Sequence, residues 1–237
     1  MKPQNKKNSP NRLELSVETR ELRAGIRAAT QMIYADTGKP VGGFTCGVYA
    51  FFDYDGEPIY VGQTYEGLSS RIGRHLTNQR TDAVAMSVLD PFEVCWIEFY
   101  PLVKYDKKKG IEAKIAVTAL ELSVYRKLVS ESQFGAILNE KSPAVVGDAN
   151  ELPLVLRVKI VTDNVLAIRG HSDVRLARRA QTISRLAQII AERQVSVGLR
   201  LTLLTQARRL THLAGQQFSS WGGDNAVEDK SIEEIDD

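Results

Sequence analysis

Phe44-Thr45-Cys46-Gly47-Val48-Tyr49-Ala50-Phe51-Phe52, followed by Asp53-Tyr54-Asp55-Gly56 and then Ile59-Tyr60-Val61-Gly62-Gln63-Thr64, is the stretch whose reading decides the fold. A mixed apolar run gives way to turn-forming residues and then resumes strand character, which is the signature of a β-hairpin. Downstream, Gly67 to Leu76 reads as a short helix, Phe92 to Tyr100 as a third strand, and Asp106 to Gly110 as a charged loop. Ile111 to Val129 then has strong helical periodicity, with Ile115, Leu122, Tyr125 and Leu128 on its expected apolar side. Upstream, Ser16 is the expected N-cap of a helix with Glu18 in its first turn, where a carboxylate suits the dipole. Leu22, Ile26, Ala29 and Ile33 form its expected apolar face, and Gly38-Lys39-Pro40 its stop.

Beyond the long helix, Leu152 to Ile168 reads as one or two strands with a turn at Asp163-Asn164. Two further helices are expected over Asp173 to Glu192 and Val197 to Leu213. The expected class is α+β: a small antiparallel sheet flanked by helices, with a C-terminal strand and helical extension. Four parts follow: a disordered basic arm at 1–12, a compact domain with its N-terminal helix at 13–149, a basic strand and helix extension at 150–217, and an acidic disordered tail at 218–237.

The chain of 237 residues has a net charge of only +2, yet its charges are polarised. Between Glu151 and Gln217, ten arginines and Lys159 face four acids; from residue 218 onward, seven acids face Lys230 alone. A basic body can displace counterions from a polyanion, although a solvated helical surface would have the same composition. The start of the chain has no apolar segment like that of a signal peptide, and no apolar run is long enough to span a bilayer. Cys46 and Cys95 lie in apolar strand-like stretches and read as buried free thiols. A cytoplasmic location is expected. His171 and His212 have no set of metal-ligand partners around them and read as surface residues.

The chemistry-bearing residues are few. Tyr49 lies on the first hairpin strand and Tyr60 on the second; Arg71 and His75, four apart, share one face of the following helix. Glu121 sits near the apolar side of the long helix, where an unpartnered carboxylate is costly. Asn139 follows in Ala136-Ile137-Leu138-Asn139. Singly, each has a plain reading: the tyrosines as a cross-strand pair, Arg71 and His75 as a solvated face, Asn139 as a residue ending a helix.

Taken in order, Gly47-Val48-Tyr49, Tyr60-Val61-Gly62, Arg71, His75, Glu121 and Asn139 resemble the GIY-YIG nuclease superfamily over roughly Phe44 to Pro143. The resemblance implies a metal-dependent DNA endonuclease with Tyr49, Tyr60, Arg71, His75, Glu121 and Asn139 in its catalytic centre. Glu121 would hold Mg²⁺ or Mn²⁺, Arg71 would present a planar fork to the phosphate, and a hairpin tyrosine, Tyr60 ahead of Tyr49, would be the base. Asn139 would position the phosphate or a tyrosine hydroxyl. Valine replaces isoleucine in both signature triplets, and Gln63 stands where several relatives have lysine. A histidine four residues after the arginine resembles certain restriction enzymes of the superfamily. The expected architecture lacks the several domains of the excision-repair and intron-homing branches, so a stand-alone restriction endonuclease acting on double-stranded DNA as a homodimer or higher oligomer is the preferred sub-class. A structure-selective processing nuclease and an inactive DNA-binding module are the alternatives. DNA contacts are expected from Lys107, Lys108 and Lys109 and from Arg175, Arg178, Arg179 and Arg185; the first three of these arginines share a helix face.

Overall fold

The computed structural model describes residues 15–77, 88–108, 110–147 and 151–223. The basic arm, Lys109 and the acidic tail from residue 224 lie outside the described residues. Strands β1 (Gly47–Phe52), β2 (Pro58–Thr64), β3 (Trp96–Pro101) and β4 (Leu156–Lys159) form one antiparallel sheet in the order β2-β1-β3-β4. Around it stand α1 (Val17–Gln31), α2 (Leu68–Thr77), α3 (Ile111–Glu131), α4 (Asp163–Arg169), α5 (Ser172–Glu192) and α6 (Val197–Ser220). This is the α+β architecture expected from the sequence.

Why β1 is an unbroken apolar run is now clear: all six of its residues are buried, because the sheet is covered on both faces. Tyr49 and Phe51 point into a cluster with Leu22 and Ile26 of α1 and Leu68, Ile72 and Leu76 of α2. Val48, Ala50 and Phe52 point the other way, against Val117, Leu120, Val124 and Leu128 of α3. The two cysteines are free and buried, one in each cluster.

Two motif glycines are required by close approach. A Cβ on Gly47 would lie 2.8 Å from the Tyr100 carbonyl oxygen, and one on Gly62 would lie 2.5 Å from the Tyr49 hydroxyl. Gly62 is the cross-strand partner of Tyr49, so its missing side chain is what lets the Tyr49 ring pass over β2.

Ser16 caps α1 as expected, its hydroxyl accepting from the Thr19 amide at 3.3 Å. The helix stops at Gln31, however, and Ile33, expected on its apolar face, is exposed in a bridge with Pro40. Ile115 is likewise exposed, since α3 seats the row Ala113, Val117, Leu120, Val124 against the sheet. The expected turn at Asp163-Asn164 is instead the first turn of α4, capped by Thr162, whose hydroxyl accepts from the Val165 amide. Helix α6 continues to Ser220, past Leu213. Among the described residues no helix is long and apolar enough to cross a membrane.

Candidate active site

Tyr60 on β2, Arg71 and His75 on α2, Glu121 on α3 and Asn139 in the loop after α3 meet at one cleft of about 570 Å³. Three separate elements converge because α2 packs on one face of the hairpin and α3 on the other, both flanking the edge strand β2. On α2, Leu68, Ile72 and Leu76 are buried, which turns Arg71 and His75 along the flank that faces the cleft.

Tyr49 lies behind this wall. It is fully buried, and its hydroxyl lies 3.2 Å from His75 Nδ1. The imidazole meets the Tyr60 ring edge-on, with centroids 4.5 Å apart. Tyr49 and Tyr60 are not a directly opposed pair: Tyr49 faces Gly62 and Tyr60 faces Phe51 across the ladder. Their rings touch diagonally, with centroids 6.3 Å apart. Tyr60 is the partly exposed tyrosine that lines the cleft.

Glu121 is partly buried, and burial pushes its carboxyl up to about 7 against the opposing influence of Arg71. No salt bridge joins the two, and the Arg71 Nε is buried with no hydrogen-bond partner. Gln63 also lines the cleft. Its side-chain oxygen accepts from the Tyr65 hydroxyl at 2.8 Å and from Thr118 at 3.4 Å, which leaves its amide as a donor. The Tyr65 and Thr118 brace was missed from sequence, and only the spacing of Thr118 one turn before Glu121 could have hinted at it.

Asn139 lines the cleft and is also bonded to the edge of β2. Its Oδ1 accepts from the Val61 amide at 3.0 Å and its Nδ2 donates to the Val61 carbonyl at 2.8 Å. The Leu138 amide donates to the Ile59 carbonyl at 2.8 Å. Together these satisfy the open edge of β2 and hold Tyr60 between two fixed residues. A tyrosine hydroxyl is not its partner.

A single cation site made wholly by protein is not present: among the described residues, no three His, Cys, Asp or Glu gather to hold a metal ion. One carboxylate in a polar cleft nevertheless suits Mg²⁺ or Mn²⁺, because hard cations of this kind keep several waters and take one or two carboxylates plus phosphate oxygens.

The expected DNA platform on α5 must be corrected. Arg175 forks onto Asp55, and Arg178 pairs with Asp90 at 2.6 Å. Arg179 reaches Asp53 at 2.9 Å and Glu93 at 3.3 Å, and Arg209 of α6 reaches the same Asp53 oxygen at 2.7 Å. Arg175, Arg179 and Arg209 are buried. These guanidiniums fasten α5 and α6 to the hairpin turn and the segment before β3, and the buried Arg175, Arg179 and Arg209 are turned to carboxylates rather than to solvent, whereas Arg178 stays partly exposed. Asp53 is the hub, because its other oxygen accepts from the Asp55 and Glu57 amides and so shapes the turn itself. Asp53, Glu93 and Arg209 were missed from sequence. Arg185, Lys107 and Lys108 are exposed, and none of them lines the cleft. His171 caps α5, accepting from the Asp173 amide at Nδ1. His212 is exposed and meets Phe134 edge-on.

Residues 45–124 match the family model of the GIY-YIG catalytic domain. That segment carries the hairpin, α2 and Glu121, and it is the part of the chain that is similar to a GIY-YIG catalytic domain. Asn139, α1 and the C-terminal helices lie outside it. No curated protein and no solved structure matches the chain.

Proposed function

We propose that the protein is a metal-dependent DNA endonuclease that cleaves double-stranded DNA as a sequence-specific restriction enzyme, working as a homodimer or higher oligomer. The observation that supports this most is the meeting of Tyr60, Arg71, His75 and Glu121 at one cleft. Phosphodiester hydrolysis needs an activated water and stabilisation of an extra negative charge, and these side chains divide the two tasks. Arg71 offers a planar fork to the scissile phosphate, and its unpartnered Nε suits an added acceptor. Tyr60 takes the proton of the attacking water. A phenol ordinarily titrates near 10, so it acts as a base only where cations or donors favour its phenolate, and in this reading Arg71, which lines the same cleft, is the cation that does so. The contact between the Tyr49 hydroxyl and His75 Nδ1 orients the imidazole, and with Tyr49 as the donor the ring would have its own proton on Nε2. Glu121 would hold Mg²⁺ or Mn²⁺, which when bound neutralises charge on the phosphate. The histidine four residues after Arg71 favours the restriction sub-class by resemblance.

Incubating plasmid with the protein, with and without Mg²⁺, tests the reading. Discrete fragments that require the cation are expected. Nicking or a smear would mean a processing nuclease, and intact but gel-shifted plasmid would mean a binding module. Plasmid neither cut nor shifted would overturn the reading.

A further inference from the structure

With Arg175, Arg178 and Arg179 paired to carboxylates, the nuclease reading gains from a second basic surface nearer the cleft, and α1 offers one. Its charges are sorted by side. Glu18 pairs with Arg169, and Glu21 accepts from the Thr162 hydroxyl at 2.5 Å, so both acids turn toward α4. Gly25 lies against Ile160 so closely that a Cβ would fall 1.8 Å from the Ile160 carbonyl oxygen. Away from that contact, Arg20, Arg23 and Arg27 are exposed, and spacings of three and four residues put them on one face. Arg23 and Arg27 line a groove of about 300 Å³ between α1 and α2, completed by Thr30, Ser69, Gly73 and Thr77, with no carboxylate in its lining among the described residues. Arg23 is held in place there by donating to the Thr77 carbonyl at 3.2 Å. Gly73 keeps the floor open, since nothing lies within 4 Å of where its Cβ would be.

Helix α2 connects this groove to the cleft. Arg71 and His75 lie on one flank, Ser69, Gly73 and Thr77 on the other, with the buried row between them on the sheet side. The two sites are thus separated by one helix width, about 10–12 Å. A B-DNA major groove is about 12 Å wide, so two stretches of backbone flanking it can reach both sites at once.

We propose that the α1–α2 groove and the arginine face of α1 hold the phosphate backbone of duplex DNA while the scissile strand enters the cleft. This rests on the nuclease reading and adds where the duplex is held. Phosphate contacts of this kind are independent of sequence and salt-dependent, so they position the duplex without specifying its bases.

The test uses the full chain and a fluorescein-labelled duplex, with binding followed by anisotropy in EDTA between about 50 and 200 mM salt. Three proteins are compared: wild type, the double variant Arg23→Ala with Arg27→Ala, and the charge-preserving Arg23→Lys with Arg27→Lys. Losing two phosphate contacts should lower the log–log salt slope by about 1.8 and weaken binding on the order of 10-fold or more. The lysine variant should stay near wild type, and single-turnover cleavage of saturated complex should be unchanged in both, because neither arginine lines the cleft. An alanine variant with wild-type slope and affinity would overturn the proposal and leave the nuclease reading intact. A lysine variant as weak as the alanine variant would also overturn it, since charge would not be what the groove supplies. Wild-type protein that neither binds the duplex nor cleaves it with Mg²⁺ would remove both.

Discussion

The hairpin holds two arginine–carboxylate regions built in opposite ways. At its turn, Asp53 and Glu93 meet Arg179 and Arg209 in a buried network whose charges offset one another. Along its edge strand, Arg71 and Glu121 line one cleft with no salt bridge between them, and burial raises the Glu121 carboxyl. Mutual pairing makes a charge structural, because its field is used up inside the fold. Charges held apart beside a cleft keep their capacity for a phosphate or a cation. Residue type alone does not separate the two cases; the partner does.

The comparison is broken most directly at the cleft. Glu121→Ala should lower the single-turnover cleavage rate by about 10³-fold or more, since removing the carboxylate removes several kcal/mol of charge stabilisation. Affinity for duplex in EDTA should stay within a few-fold of wild type. Near-normal cleavage by this variant in Mg²⁺ would show that the cleft charge is as structural as those at the turn.

At the turn, the loss should appear in stability. Asp53→Ala strands two buried guanidiniums and undoes the turn's own hydrogen bonds, so it should cost about 3–5 kcal/mol in urea unfolding. Arg179→Ala should destabilise in the same range without lowering the salt slope of DNA binding. A changed slope with unchanged stability would return α5 to the DNA surface and invert the comparison.

The tyrosines sharpen it within the cleft. Tyr60→Phe keeps the ring and removes the hydroxyl that lines the cleft, and should lose on the order of 10²-fold in rate. Tyr49 acts through His75, so Tyr49→Phe should lose less, about 10-fold, as expected of a positioning group rather than of the base itself. Equal and full activity in both would reduce the tyrosines to packing.

Local patterning explains what could be read in advance. The hairpin, the helix of Arg71 and His75 and the long helix of Glu121 each have a period or a turn signal a few residues long, and such signals need no knowledge of the rest of the chain. Five of the six proposed site residues follow in order along those elements, and Asn139 comes in the loop after the last of them. Which arginines are free was not legible, because the partners of Arg175 and Arg179 lie 120 and 126 residues away. The strand-edge contact of Asn139 was not legible for the same reason: its partner is a backbone amide 78 residues earlier. Short α4 escaped because seven residues give too little periodicity to outweigh the β-branched character around it.

The smallest effect is the one that tests the electrostatics of Glu121 itself. A carboxyl raised to about 7 from an ordinary value near 4.5 keeps its proton in the folded state after the unfolded chain has released it. Folded protein therefore binds more protons than unfolded protein across that interval, and stability falls as pH rises through it, levelling off above about 7. Glu121→Gln removes the titration and should be more stable than wild type at pH 8 by about 1–2 kcal/mol, a figure reduced for the solvent that screens a partly exposed group. At pH 4 the gap should nearly close, because the wild-type carboxyl is then largely neutral in both states. Adding Mg²⁺ at pH 8 should stabilise wild type and narrow the gap while leaving the glutamine variant unmoved. A variant no more stable at pH 8, or one that Mg²⁺ stabilises as much as wild type, would mean that Glu121 already has its counter-charge within the fold, as Asp53 does.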